Sequence, residues 1–161
     1  QTKQAVIKFQ KQMGLTPDGI VGKNTLSAMG LGDAPAGVTG MGGYSANEVA
    51  LLAKIISAEA RGEPYAGQVA VGAVILNRVA HPSFPNTLAG VIYQPGAFSC
   101  LDDGGVNAAV ADSAYRAARD AINGSDPSGG AIYYYNPAKS TNQWIFSRPI
   151  ITVIGQHRFC S

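Results

Sequence analysis

Charge is scarce in this chain: 14% of its 161 residues are Asp, Glu, Lys or Arg, and their formal balance is only +2. With no basic run, no phosphate-cradling glycine loop and no RNA-type aromatic motif, this argues against a nucleic-acid partner. Long apolar runs are missing too. The longest, Val69 to Leu76, is interrupted by Gly72 and ends at Asn77-Arg78, far short of the roughly 20 residues that span a bilayer. Cysteine is limited to Cys100 and Cys160, and neither belongs to a Cys-x-x-Cys pair or a Cys/His cluster, so no metal site is expected. The two leave three readings open: a staple tying the tail to the middle of the chain in an oxidising compartment, two buried thiols, or one nucleophile. The sequence begins at Gln1 rather than Met and carries no signal-peptide pattern, so it reads as a processed or truncated product whose targeting segment is not within it.

What is present is apolar. Hydrophobic residues make up 46% of the chain, enough for one domain with a real core plus a small appendage. The most informative residue is Glu59. Ser45 followed by Glu48 is a capping-box signature, and Gly62 with Glu63-Pro64 is a stop, so a helix is expected between them. On it, Leu52, Ile55, Ile56 and Glu59 share one stripe, while Lys54, Ser57 and Arg61 are expected to point the other way. A carboxyl group on such a face tends to hold its proton, which is what a general acid needs. The alternative is structural: an ion pair with Arg61 or Lys54, or a carboxylate capping a backbone amide.

Three segments follow from composition. Residues 1–30 read as two short helices, Ala5 to Met13 stopped by Gly14 and Lys23 to Met29 stopped by Gly30, around the turn Thr16-Pro17-Asp18-Gly19. Residues 31–43 are rich in Gly and Pro and read as a linker. The remaining 44–161 are the core domain. There, helices are expected over Gly67 to Ala80, Thr87 to Tyr93, and Ala108 to Ile122, the last with Ala111, Tyr115, Ala118 and Ile122 in one stripe. The end of the chain is β-favouring, in Ala131 to Tyr135, Ile150 to Ile154 and Gln156 to Phe159. The fold class is therefore α+β, mostly helical, with a small terminal sheet.

Aromatic residues crowd the second half of the chain, and sugar-binding grooves use aromatic faces to stack on pyranose rings. On a strand, Tyr133 and Tyr135 share the face opposite Tyr134, so one set can be core while the other lines a groove. A typical glycosidase needs a second carboxylate. Glu63, Asp102, Asp103 and Asp126 are the candidates, each in a Gly/Pro-rich turn where a structural surface carboxylate is expected. A lytic transglycosylase needs no such partner, because the substrate's own C6 hydroxyl attacks the anomeric carbon. A thiol enzyme built on Cys100 and His157 is a weaker reading, since Leu101-Asp102-Asp103-Gly104-Gly105 makes an acidic, turn-forming setting that disfavours thiolate.

Two resemblances then enter. Ala5-Val6-x-x-Phe9-Gln10, Gly14-Leu15-x-x-Asp18-Gly19-Ile20-Val21-Gly22 and Thr25-Leu26 resemble the C-terminal part of a peptidoglycan-binding repeat whose first helix is missing here. In the core domain the resemblance is to the spore cortex-lytic enzyme family. It rests on the stretch from Leu52 to Pro64, on Gln68 to Arg78, and on Phe84-Pro85, Ala97-Phe98-Ser99-Cys100, Tyr134-Tyr135-Asn136-Pro137 and Ile154-Gly155-x-His157-x-Phe159. It implies a lysozyme-like transglycosylase fold related to resuscitation-promoting factors. The implied activity is lytic transglycosylation of cortex glycan carrying muramic-δ-lactam during germination, leaving 1,6-anhydromuramoyl ends. Glu59 would be the catalytic acid, and Phe98, Tyr133, Tyr135, Asn136 and Trp144 would hold the glycan. No metal or organic cofactor is implied. The implied location is the spore cortex, outside the inner spore membrane, and the implied partners are peptidoglycan and an inhibitory or stabilising spore protein.

Overall fold

The computed structural model describes residues 2–22, 25 and 40–161. Most of the expected helix over Lys23 to Met29, and of the linker, lies outside them. The elements in chain order are α1 (Thr2–Gln12), α2 (Ala46–Glu59), α3 (Tyr65–Ala80), α4 (Leu88–Ile92), α5 (Ser99–Asp102), a 3-10 turn at Gly105–Asn107, α6 (Asp112–Ile122), β1 (Tyr133–Tyr135), α7 (Gln143–Phe146), β2 (Ile150–Ile154) and β3 (His157–Cys160). This is the mostly helical chain with a small terminal sheet that the sequence predicts.

Helix α2 is the centre of the molecule. Its start is the capping box: Ser45 Oγ accepts the Glu48 N–H at 3.2 Å and Glu48 Oε2 accepts the Ser45 N–H at 2.8 Å. Leu52, Ile55 and Ile56 are fully buried, each such side chain contributing about 1.5–3 kcal/mol by leaving water. The expected division into a greasy and a solvent face fails, however. Ser57 is buried, with its Oγ accepting the Ala111 N–H at 3.1 Å, and Lys54 is half-buried with its ammonium pKa lowered by desolvation. Packing by α3 on one side and α6 on another leaves α2 little open surface, so a polar residue there must find an internal partner.

Close approach of the three helices depends on small residues. A Cβ on Gly72 of α3 would meet Ile56 Cδ1 at 2.8 Å and Ala121 Cβ at 3.2 Å. The buried stripe of α6 is Ala114, Ala117, Ala118 and Ala121, not the one expected, in which Ala111 lies outside the helix and Tyr115 and Ile122 flank the contact. The helix also begins at Asp112 rather than Ala108, because the Ala111 N–H is held by Ser57 Oγ and residue 111 is extended.

The sheet is antiparallel in the order β1-β3-β2, with Tyr134 opposite Phe159 and Ile154 opposite His157. Its inner face therefore carries Tyr134, His157 and Phe159. Its outer face packs Tyr135 and Cys160 against Ile145 in a second small cluster. Both cysteines are buried free thiols on different parts of the molecule, so the staple is not formed.

Helix α1 is more than an appendage. Phe9 and Met13 belong to the main core, Phe9 meets the Tyr93 ring edge-to-face at 5.0 Å, and Gln12 Nε2 donates to Asp102 Oδ1 at 3.1 Å. Buried Gln10 organises the following turn: its amide nitrogen donates to Asp18 Oδ1, Ile20 O and Thr25 Oγ1, and its Oε1 accepts the Gly19 N–H.

Candidate active site

The C-terminal end of α2, the turn after it, α5 and the inner face of the sheet enclose a cleft of about 590 Å³. Glu59, the last residue of α2, is a partly buried residue that lines it. Its Oε2 accepts the Tyr134 hydroxyl at 2.9 Å, and the Cys100 thiol is a further donor to the same carboxyl. Burial, reinforced by the nearby Glu59 charge, pushes the Tyr134 hydroxyl and the Cys100 thiol up, so both keep their protons at neutral pH and act as donors. Neither basic neighbour pairs with Glu59: Arg61 instead donates to Ala109 O at 2.8 Å.

Glu63, four residues on, is a different kind of acid. Its Oε2 accepts the Gln156 N–H at 3.1 Å, and its Oε1 lies 3.9 Å from His157 Nδ1. Gly155 has φ +56°, and a Cβ there would fall 2.0 Å from Glu63 Oε2, so the β2–β3 turn and this carboxylate fit only around glycine. Glu63 thus ties the turn to the end of α2. Burial holds the His157 imidazole below its ordinary pKa, with Glu63 and then Glu59 opposing, and its Nδ1 has no hydrogen bond. Of the remaining candidate acids, Asp102 closes α5 and accepts from Gln12 Nε2, whereas Asp103 and Asp126 cap turns. Asp103 Oδ1 accepts the Gly105 N–H at 2.8 Å, and Asp126 accepts from Asn77, Ser128 and Gly130.

A second hollow of about 420 Å³ adjoins the first, sharing Arg78, Tyr134 and Tyr135 with it and adding Phe84 and Tyr133. Among the residues expected to hold glycan, Tyr135 borders both hollows although only 7% of it is exposed, and Tyr133 lines the second. Asn136 lines the first, with its Nδ2 donating to Gln156 Oε1 at 3.2 Å. Trp144 is 51% exposed and lies outside both linings, its ring edge-to-face with Tyr133 at 5.1 Å. Phe98 lines neither hollow: it is 3% exposed and stands at the start of α5 within the core, a poor position for stacking on a sugar there. Tyr134 and Arg78 were not singled out. Strand alternation already set Tyr134 apart from its two neighbours, and Arg78 is a lone cation closing an apolar helix.

The Cys-His reading fares poorly for a partly different reason from the one expected. Cys100 lies in the short helix α5 rather than in a turn, but the group beside its thiol is Glu59 and not a base. The acidic field predicted for it is real.

Comparison with known proteins places this architecture. The sequence model of the Cell Wall Hydrolase family matches residues 62–160, and the chain belongs to that family. A peptidoglycan binding domain model matches residues 1–29. More particularly, the chain is similar to the spore cortex-lytic enzyme of Halalkalibacterium halodurans, 54% identical over 119 residues, which are 74% of this chain and 36% of that protein. The cell wall hydrolase CwlJ of Bacillus subtilis is 30% identical over 118 residues, covering 70% of this chain and 83% of the other. In structure it resembles the catalytic domain of the germination-specific lytic transglycosylase SleB from Bacillus anthracis, with a TM-score of 0.70 at 52% identity, covering 74% of this chain and 98% of that one. The chain spans less than half the length of the cortex-lytic relatives, 36% of one and 46% of another.

Proposed function

We propose that this chain cleaves the glycan of peptidoglycan as a lytic transglycosylase, with Glu59 as its acid/base residue. One observation carries the reading. Of the acids lining the cleft, Glu63 and Asp103 each accept a backbone N–H, while Glu59 is bonded to side-chain donors only. A carboxylate already engaged in holding a turn is poorly placed to activate water as the usual second acid of a glycosidase.

The chemistry then needs a single group. Glu59 protonates the oxygen between a muramoyl unit and the following N-acetylglucosamine, and the bond breaks with positive charge developing on the muramoyl ring. The carboxylate so formed takes the proton of that sugar's C6 hydroxyl as its oxygen closes on the anomeric carbon, giving a 1,6-anhydro end and restoring the acid. Tyr134 holds Oε2, which helps to fix the carboxyl plane in the cleft. Tyr133, Tyr135 and Asn136 supply the groove surface along which the strand lies, with Trp144 exposed beside Tyr133 at its margin.

The similarity to cortex-lytic enzymes supports spore cortex, with its muramic-δ-lactam, as the substrate, and germination as the occasion. By the same reading the protein is exported and acts at the cortex, with an inhibitory or stabilising spore protein as a further partner. We take residues 1–30 as a wall-binding fragment, 31–43 as its link and 44–161 as the catalytic domain, with α1 docked on the latter. The test is Glu59→Gln assayed on purified cortex glycan: fold and binding are retained while turnover falls at least about 100-fold. A fully active variant overturns the assignment.

A further inference from the structure

Arg78 stands at the junction of the two hollows. It is 9% exposed, an unusual position for a guanidinium, and its Nε donates to Ile132 O at 2.7 Å. Ring centroids of Phe84, Phe98 and Tyr133 lie 5.3, 5.7 and 5.6 Å from its central carbon. Aromatic neighbours satisfy the cation's charge but none of its N–H donors. Among the described residues neither Nη1 nor Nη2 has a hydrogen-bond or ion-pair partner, and Arg78 lines both hollows. Among the described residues it is also the only charged side chain lining the second.

We propose that this second hollow is a sugar subsite in which the free Nη donors of Arg78 bind the amide carbonyl oxygen of an N-acyl substituent. The inference rests on the glycan-cleaving reading and adds a specificity element to it. The volume suits a sugar unit and the aromatic walls suit its apolar face. A planar donor fork calls for a planar oxygen acceptor. A neutral amide fits better than a carboxylate, because Glu59 and Glu63 face the adjoining cleft and would repel a second anion. A C2 hydroxyl carries its oxygen closer to the ring than an N-acyl carbonyl does, so the Nη donors would lie farther from an acceptor, which is how a site disfavours a substrate lacking the group.

Two β-1,4-linked hexamers differing only at C2 serve as probes: N-acetylglucosamine hexamer and glucose hexamer. Binding is measured by calorimetry on the full chain carrying Glu59→Gln, so the result does not depend on turnover and stands apart from the test of Glu59. The N-acetyl hexamer should bind about 10-fold or more tightly than the glucose hexamer. Adding Arg78→Lys should shrink that gap to within about 3-fold. Nuclear magnetic resonance of the Arg78 Nε–H, protected by its bond to Ile132 O, needs no substitution at 78: its signal should shift with the N-acetyl hexamer and stay put with the other. Equal binding of the two hexamers, an undiminished gap in a folded Arg78→Lys protein, or an unmoved Arg78 signal at saturation would each overturn the proposal.

Discussion

Glu59 and Glu63 are four residues apart and face one cleft, yet the helix end and the turn beyond it use the same functional group for opposite purposes. Glu63 accepts from the backbone of a turn 93 residues away and belongs to the scaffold; Glu59 accepts from a tyrosine 75 residues away and lines the cleft. What separates them is the kind of donor. A backbone N–H fixes a chain segment, so losing its acceptor costs stability. A side-chain hydroxyl orients a carboxyl, so losing it costs the precision of whatever that carboxyl does.

The largest expected effect on this contrast is kinetic. Glu59→Gln should lower turnover by about two orders of magnitude or more with little change in Tm, whereas Glu63→Ala should release the Gln156 N–H to water, untie the turn and lower stability by about 1 kcal/mol. That is a fall of a few degrees in a chain of this size. If Glu63→Ala were as inactive as Glu59→Gln while keeping its Tm, the two acids would be catalytic partners and the contrast would collapse. Gly155→Ala sharpens the same side. Its methyl group collides with Glu63 Oε2 at positive φ, so it should destabilise by about 2 kcal/mol in thermal unfolding, with the added loss of Glu63→Ala then well below additive. Next comes Tyr134→Phe, which removes one donor to Glu59 and no volume. It should lower kcat about 10-fold, an amount set by one hydrogen bond to a charged group, with KM nearly unchanged.

The smallest effect is a pH dependence. Burial holds His157 below its ordinary pKa of 6.5, so on acidification the unfolded chain takes up this proton before the folded chain does. Its contribution to stability is therefore complete above pH 6.5 and is lost as pH falls through the unfolded value towards the folded one. His157→Gln should flatten that part of the stability profile measured by denaturant unfolding between pH 7 and 5. An unchanged profile would mean that Glu63 compensates the imidazole fully.

Much of this was legible in the chain itself wherever the information is local. The Ser45 to Glu48 box, the Gly62 stop and the β-favouring tail give α2 and the sheet, and the apolar spacing puts Glu59 at a helix end. What was not legible depends on contacts across the chain. Ser57 looked solvent-facing because its partner, the Ala111 N–H, lies 54 residues on, and that same bond delays the start of α6. Phe98 looked available for a sugar because nothing in Ala97-Phe98-Ser99 shows that the ring turns into the core. Tyr134 was separated from Tyr133 and Tyr135 by alternation alone, but which face met the acid depended on how the sheet docks on α2. Arg78 closes a helix that reads as wholly apolar, so only the fold shows it standing between two hollows.

The central claim, that Glu59 works without a second carboxylate, is tested most directly by mass spectrometry of the products released from purified cortex glycan. Ring closure by the substrate's own hydroxyl predicts fragments ending in 1,6-anhydromuramic acid, lighter by one water than hydrolysis products. Reducing muramic acid ends, or intact glycan with released peptide, would contradict it.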